Sequence, residues 1–333
     1  MEILLGKKKN FYKANLHCHS TLSDGRRSVE ELKAAYKEHG YSIVAFTDHE
    51  HIIDNSHLND EEFLAITSCE LAIKEFPEQS SLKNMNMRVC HLNFYALDAH
   101  NTKTPCYSSI YDHYVNDNNR DSVCFDGEYE RIYSPSGIND MIRIGRQNGF
   151  LVSYNHPSWS LEGALDYLHY EDLFAVEIYN HSCTVTGHPD DEHVLADMLR
   201  AGKHIFCTAA DDNHNKADFS SPLNDSFGGF VMINADALEY GRIMDALQAG
   251  DFYASTGPKI YTLTRDENTV RIKVSPAKKI HMLTKGRRIE RVLAEADSVL
   301  TEAEFTLREG DGYFRIRIED EHGKRAYTQA YTV

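Results

Sequence analysis

Residues 14–51, ANLHCHSTLSDGRRSVEELKAAYKEHGYSIVAFTDHEH, decide how the chain folds, because they read as strand, loop, helix and strand with histidines and aspartates at the strand ends. Successive side chains of a strand point to opposite faces, so His17 and His19 project to one side and Cys18 to the other. Ser28 with Glu31 has the pattern of a capping box, and Val29, Leu32, Ala35 and Tyr36 give the helix that follows one apolar face. Gly40 is where that helix should stop. The apolar run 42–46 then reads as a strand buried on both faces, delivering Asp48 and His49 just past its end. With Asp24 in the first loop, this βαβ unit gathers metal-competent side chains at one edge.

Working outward, the same arrangement recurs. A strand over 63–67 is followed by Glu70, and the apolar strand 87–97, MRVCHLNFYAL, carries His91. No period holds from His100 to Tyr133, which reads as a lid or wall over the strand ends, with a short helix near Ser108 to Asn116. Arg120, Arg131, His113 and Tyr133 in it are candidate substrate contacts, though an ordinary solvated role is the simpler reading of each. Ile138, Met141 and Ile142 then mark a helix, 150–154 a strand, and NHPSW places His156 right after it. A strand over 174–179 ends at Asn180 and His181, and a helix over 191–201 leads to the strand 204–209. That strand runs into AADDNH, which sets Asp212 and His214 two apart at its rim. Only the C-terminal ends of strands in β/α alternation share a common mouth, and barrel enzymes build their sites there.

Taken whole, LHCHSTLSDG followed at a βαβ distance by FTDHEH resembles the PHP (polymerase and histidinol phosphatase) family of metal-dependent phosphoesterases. The resemblance implies a distorted β/α barrel of the seven-stranded type over 11–257, whose site usually holds three metal ions. By motif, His17, His19, Glu70 and Asp212 resemble the ligands of a first metal. Asp24, His49 and His214 match a second, and His91 with His156 a third, Glu70 bridging to it. Asp24 departs from members that place a histidine here, although SDG at this spacing is itself a familiar variant, and Asp212 is chosen over Asp211 because it makes D-x-H with His214. Asp48 resembles a residue that orients a ligand. His181 is a candidate proton donor to the leaving group, and Arg143, Arg146 and Lys216 are candidate phosphate clamps.

Imidazole and carboxylate ligands without thiolate suit two to three zinc, manganese or iron ions and do not choose among them. Such a cluster can lower the pKa of a bridging water and neutralise phosphoester oxygens during attack, so the expected activity is hydrolysis of a small phosphorylated metabolite or nucleotide. The absence of a G-x-S-x-G elbow disfavours covalent catalysis. Alternatives are a related hydrolase of carbamate, amide or ester bonds, and a non-catalytic binding protein that keeps metals for stability.

The segment GDFYASTGP, ending at Pro258, reads as a boundary. Beyond it apolar residues alternate with period two, so 258–333 is expected to be a small β-sandwich for packing or dimerisation, compatible with a homo-oligomer. A net charge of −16 disfavours nucleic acid and anionic membranes as partners. Seven cysteines without a C-x-x-C argue for reduced thiols, and no apolar span approaches membrane length, so a soluble cytoplasmic protein is expected.

Overall fold

The computed structural model describes residues 1–76, 86–115 and 120–333. From the N-terminus, β1 (Glu2–Leu5), β2 (Asn10–Cys18), α1 (Val29–Glu38), β3 (Ile43–Phe46), β4 (Leu64–Lys74) and β5 (Val89–Ala96) lead to a two-stranded ribbon, β6 (Lys103–Thr104) and β7 (Cys124–Phe125). Alternation then sets in with α2 (Pro135–Gln147), β8 (Phe150–Tyr154), α3 (Ala164–Tyr167), β9 (Ala175–Asn180), α4 (His181–Val185), α5 (Glu192–Arg200), β10 (Phe206–Ala210), β11 (Phe230–Ala235), α6 (Tyr240–Ala249) and β12 (Phe252–Ser255). The remainder is all strand: β13 (Ile260–Asp266), β14 (Thr269–Ala277), β15 (Lys279–Thr284), β16 (Ile289–Leu293), β17 (Leu300–Thr306), β18 (Tyr313–Glu319), β19 (Arg325–Tyr327) and β20 (Tyr331–Thr332).

Local chemistry explains the helices. In α1 the Ser28 amide donates to Glu31 and the Glu31 amide to Ser28 Oγ, so two amides at the helix start are satisfied reciprocally. Its apolar stripe buries Val29, Leu32 and Tyr36, and Gly40, at φ +75°, turns the chain out of the helix. Ile138, Met141 and Ile142 of α2 and Val194, Leu195, Met198 and Leu199 of α5 are likewise buried. Each such side chain contributes roughly 1.5–3 kcal/mol by leaving water.

One continuous sheet runs β10-β9-β8-β5-β4-β3-β2-β11-β12-β19-β18-β15-β16. The expected barrel takes a coarser form, a mixed sheet that curls until its edge strand β10 approaches β2, a strand of its interior. Among the described residues no ladder joins β10 to β2. Instead the Asp212 amide donates to His17 O and the His19 amide to Asn213 O. The seam is held by Asp211, whose buried carboxylate accepts from the amides of Phe227, Gly228 and Gly229 and from the Tyr36 hydroxyl. A Cβ at Gly229 would stand 2.3 Å from the backbone oxygen of Ala210, so only glycine lets the two segments come this close.

Two departures from simple alternation set the site. β4 does not end before Glu70. It pairs parallel with β3 from Leu64 to Thr67, and then antiparallel with β5 from Ser68 to Lys74, so Glu70 lies within a strand. β5 runs antiparallel to β4 and β8, so His91, near its start, reaches the rim formed by the other strands' C-terminal ends. Residues 108–115 form turns where a helix was expected, and Asn116 lies outside the described residues. Arg131 is buried, bonded to Glu50 Oε2, Ala72 O and Cys106 O, so it is not a solvated side chain, and the half-buried Tyr133 bonds to Glu162. No helix among the described residues is long and apolar enough to cross a membrane.

The C-terminal strands pack on a second sheet, β1-β13-β14-β17, around Ile260, Leu263, Ile272, Ile280, Phe314 and Ile316. β1 pairs with β13, so the N-terminal residues join this layer. Residues beyond 258 also reach the larger unit: the Gln329 amide bonds to both backbone groups of Cys207, standing in for a strand at the free edge of β10. Arg315 and Arg317 donate to Glu192 at the start of α5, at 2.8 and 2.9 Å.

Burial pushes the Glu192 carboxyl up, but Arg315 and Arg317 outweigh it and hold the group below the ordinary glutamate range. A lowered folded-state pKa means that this stabilisation is complete above the ordinary range and is lost as pH falls through the folded value. Glu192→Ala, which strands the largely buried Arg315, should cost about 2–3 kcal/mol at neutral pH in urea unfolding. The gap from wild type should narrow on acidification; a gap that is absent, or constant with pH, would dismiss the pairing as a stabilising link.

Candidate metal centre

The loop after β2 is shaped by Asp48, whose carboxylate accepts from the Ser20 amide and hydroxyl at 2.8 Å and from Ser23 Oγ at 2.7 Å. Asp48 therefore braces the loop that carries Asp24, and its carboxylate holds no ligand ring. That loop, the rim of β2 and the turn after β10 face one another, and the side chains they carry converge.

His17 Nε2 lies 3.2 Å from Glu70 Oε1 and 3.2 Å from Asp212 Oδ1, and His19 Nε2 lies 3.0 Å from Asp212 Oδ1 and 3.4 Å from Glu70 Oε2. The two ring nitrogens are themselves 3.2 Å apart. Beside them, Asp24, His49 and His214 form a second group that His19 also borders, with Asp24 Oδ2 3.4 Å from His214 Nε2 and Asp24 Oδ1 3.7 Å from His49 Nε2. On the other flank Glu70 Oε1 is 3.1 Å from His91 Nδ1 and 3.4 Å from His156 Nε2. Glu70 thus touches both His91 with His156 and, through Oε2 at 3.2 Å, His49 Nδ1. His156 and Asp212 sit at φ +28° and +54°, conformations uncommon for residues with a side chain and typical of functional sites.

Electrostatics show what the cluster lacks. Burial favours neutral imidazole at His17, yet Asp212, Glu70 and Glu177 drive its pKa well above the usual value. Burial opposes charge on His19 too, but Asp212 and Glu70 raise it to about 10. Burial also disfavours charge on Glu70, Asp24 and Asp212, and the surrounding histidines nonetheless hold all three below the usual carboxylate range. His49 is kept low by burial and then by His19, and His91 by burial, so these two present lone pairs. The site demands positive charge, which protons supply in the metal-free chain.

A divalent ion fits this demand. Ligand atoms about 2.0–2.2 Å from a common ion stand roughly 3.0–3.5 Å from each other, the spacing seen around Glu70. Two buried atoms at the same place, His19 Nδ1 and Asp24 Oδ1, have no hydrogen-bond partner. The outer contacts also suit ligation: His17 Nδ1 faces Glu177 Oε1 at 3.0 Å, and His214 Nδ1 donates to Asp212 O at 2.9 Å, which leaves each Nε2 free as a ligand. Asn155 donates to Glu70 Oε1 at 2.8 Å, and Asn180 bridges Glu177 and Asp212 at 2.8 and 3.0 Å.

The structure therefore brings together His17, His19, Asp24, His49, Glu70, His91, His156, Asp212 and His214. It places His181 elsewhere. That ring lies against Gly228, bonds to the Tyr179 hydroxyl at 2.8 Å, and has its pKa lowered to about 4 by burial and then by Lys324, so it is neutral and does not line the cavity. Arg143 and Arg146 on α2 pair with Asp140 and with Asp172 and do not line the cavity, whereas Lys216 does. Glu177, Asn155 and Asn180 were not anticipated. A lone carboxylate inside the apolar run Ala175–Asn180 was the signal available for Glu177.

Asp24, His49, Glu70, His91, His156, Asp212 and His214 form the floor of a cavity of about 520 Å³ lined also by Trp159, Cys183, Val185, Lys216 and Leu223. Tyr114, from the stretch expected to wall the site, stacks on His49 with ring centroids 5.5 Å apart.

Comparison with family models and with curated proteins finds no match. Solved structures similar to the chain include a two-domain protein from Bacteroides vulgatus containing a predicted PHP-like metal-dependent phosphoesterase, at 14% identity over 100% of this chain and 98% of that one, with a TM-score of 0.47. A proposed metal-dependent phosphoesterase from Bifidobacterium adolescentis is 15% identical over 62% of this chain and 90% of its own, with a TM-score of 0.34. An amidohydrolase from Chromobacterium violaceum, with bound sulfate and no metal, is 12% identical over 60% and 87%, with a TM-score of 0.36. The case for a metal centre here rests on the side chains described above.

Two outcomes follow for the purified protein. Metal should bind at more than one ion per chain by elemental analysis, and Glu70→Ala, which removes the carboxylate shared between groups, should lose more than a single ion; one ion or none, unaffected by the substitution, would contradict the shared site. Because His17, His19 and His156 carry raised pKa values, loading the metal-free chain at neutral pH should release protons, and apparent affinity should rise with pH. Calorimetry in buffers of different ionisation enthalpy reads this directly, and a heat independent of buffer would refute it.

Proposed function

We propose that the protein is a metal-dependent hydrolase that cleaves phosphoester bonds of a small phosphorylated substrate. One observation carries the reading: Asp24, Glu70 and Asp212 converge with six imidazoles, and those of His49, His91, His156 and His214 line a cavity with the three carboxylates. Bound divalent ions would supply Lewis acidity toward substrate oxygens and a lowered pKa for water. Such ions would offset the charge of Asp24, Glu70 and Asp212, so an anionic oxygen could approach the floor.

The chain's own residues do the rest. Glu177 fixes the proton of His17 on Nδ1, and the Asp212 carbonyl fixes that of His214 on Nδ1, so neither ring can turn away from the centre. Lys216, the only lysine or arginine lining the cavity among the described residues, is placed to bind a substrate anion. Asp48 keeps the Asp24 loop in position through Ser20 and Ser23. No side-chain nucleophile is needed: Cys183 lines the cavity, but burial, then Asp212 and Glu177, push its thiol far above the range in which a thiolate forms.

His214→Ala removes one ligand of the second group while leaving His17, His19 and Glu70 in place, and should depress turnover on the order of 100-fold or more. The assay is phosphate release from sugar phosphates, nucleotides and diesters with zinc, manganese and iron in turn. If the wild type hydrolyses carbamates or carboxyl esters and no phosphoester with any of these metals, the phosphoesterase reading is wrong.

A further inference from the structure

One wall of the cavity has no part in the hydrolytic chemistry. Trp159, the only tryptophan in the chain, is 39% exposed, and Leu223 is 60% exposed, yet both line this concave site. Exposed apolar side chains are ordinary on an outer surface, but inside a cavity they offer a face to a ligand. The indole centroid lies 5.3 Å from that of His91 and 4.9 Å from that of His156, so a group resting on it is next to the ligand set.

The loop that bears Trp159 is pinned on both sides. Ser158 donates to Asp191 from its amide at 3.2 Å and its hydroxyl at 2.5 Å, and the Val89 amide donates to Ser160 O at 3.2 Å. Farther on, the buried Glu162 carboxylate accepts from the hydroxyls of Tyr133, Tyr154 and Tyr170. An aromatic surface held this firmly is organised before any ligand arrives, so little ordering is required on binding.

We infer that Trp159 is a specificity-determining platform for a flat, unsaturated leaving group, an aryl or heteroaryl oxygen, in the ester whose anionic part sits at the metal centre. Rings prefer offset or edge-to-face contact with an indole, and an aliphatic group of the same size lacks that term. In the reaction the phosphorus–oxygen bond to the aryl group breaks and a water oxygen bonds to phosphorus. One water proton ends on the aryl oxygen and the other stays with phosphate, with no change of oxidation state. The inference rests on the phosphoester reading above.

The test uses the metal-loaded full chain with phenylphosphonate, cyclohexylphosphonate and inorganic phosphate, none of which is hydrolysed. Phenylphosphonate should bind roughly 5- to 10-fold more tightly than cyclohexylphosphonate by calorimetry and should alter the emission of the single tryptophan. Trp159→Leu should abolish that preference and Trp159→Phe should keep most of it, with metal content measured in each variant so that loss of ions is not read as loss of the ring. Equal affinities for the two phosphonates with unchanged emission would overturn the platform while leaving the phosphoesterase reading intact. If no phosphonate and no phosphate binds the loaded protein, both fall together.

Discussion

Six imidazoles and three carboxylates, most of them buried, crowd into overlapping groups with too little positive charge to balance the carboxylates, and the rest of the structure is arranged to sustain that imbalance. In a medium of low polarity an unpaired carboxylate is costly, so Glu70 and Asp212 persist there only because cations, protonic or metallic, are always at hand. Glu70 is the pivot, since its two oxygens touch histidines of all the groups. Behind it, Asn155, Asn180 and Glu177 use hydrogen bonds to fix which way the ligand atoms point.

The backbone yields to the same requirement. β4 changes neighbours at Ser68, which carries Glu70 under the centre instead of past it. Asp212 and His156 accept positive φ, and the edge at β10 meets β2 through a few bonds near His17 and Asn213 in place of a ladder. The Asp211 carboxylate takes up donors that this seam would otherwise strand, its pKa raised to about 6 by burial despite those bonds. Ligand geometry and sheet closure are thus one problem, and the conformations that cost most lie where both must be solved.

Much of this was legible in the sequence because strand periodicity is strict. H-x-H and D-x-H put paired ligands on one face, and an apolar run of known length tells where that face reaches the rim. The helices were equally plain, from the Ser28–Glu31 cap to the stripe of α5. What stayed hidden depended on strand direction and on contacts far apart in the chain. An apolar strand reads the same whichever way it runs, so the reversal of β5 and the extension of β4 could not be seen. Glu177 looks like any polar interruption until His17 is set against it, and His181, adjacent to a strand end, looked placed for catalysis although its ring turns toward Tyr179. The reach of Gln329 to Cys207 is another long-range contact that no local pattern announces.

The central claim is that the buried cluster is built to hold several ions around one carboxylate. Anomalous diffraction from crystals of the protein, recorded above and below the absorption edges of zinc, manganese and iron, tests it most directly. The account predicts at least two metal peaks flanking the Glu70 carboxylate, one of them in contact with His17 and Asp212. A single peak remote from Glu70, or none in crystals grown with excess metal and without chelator, would contradict it.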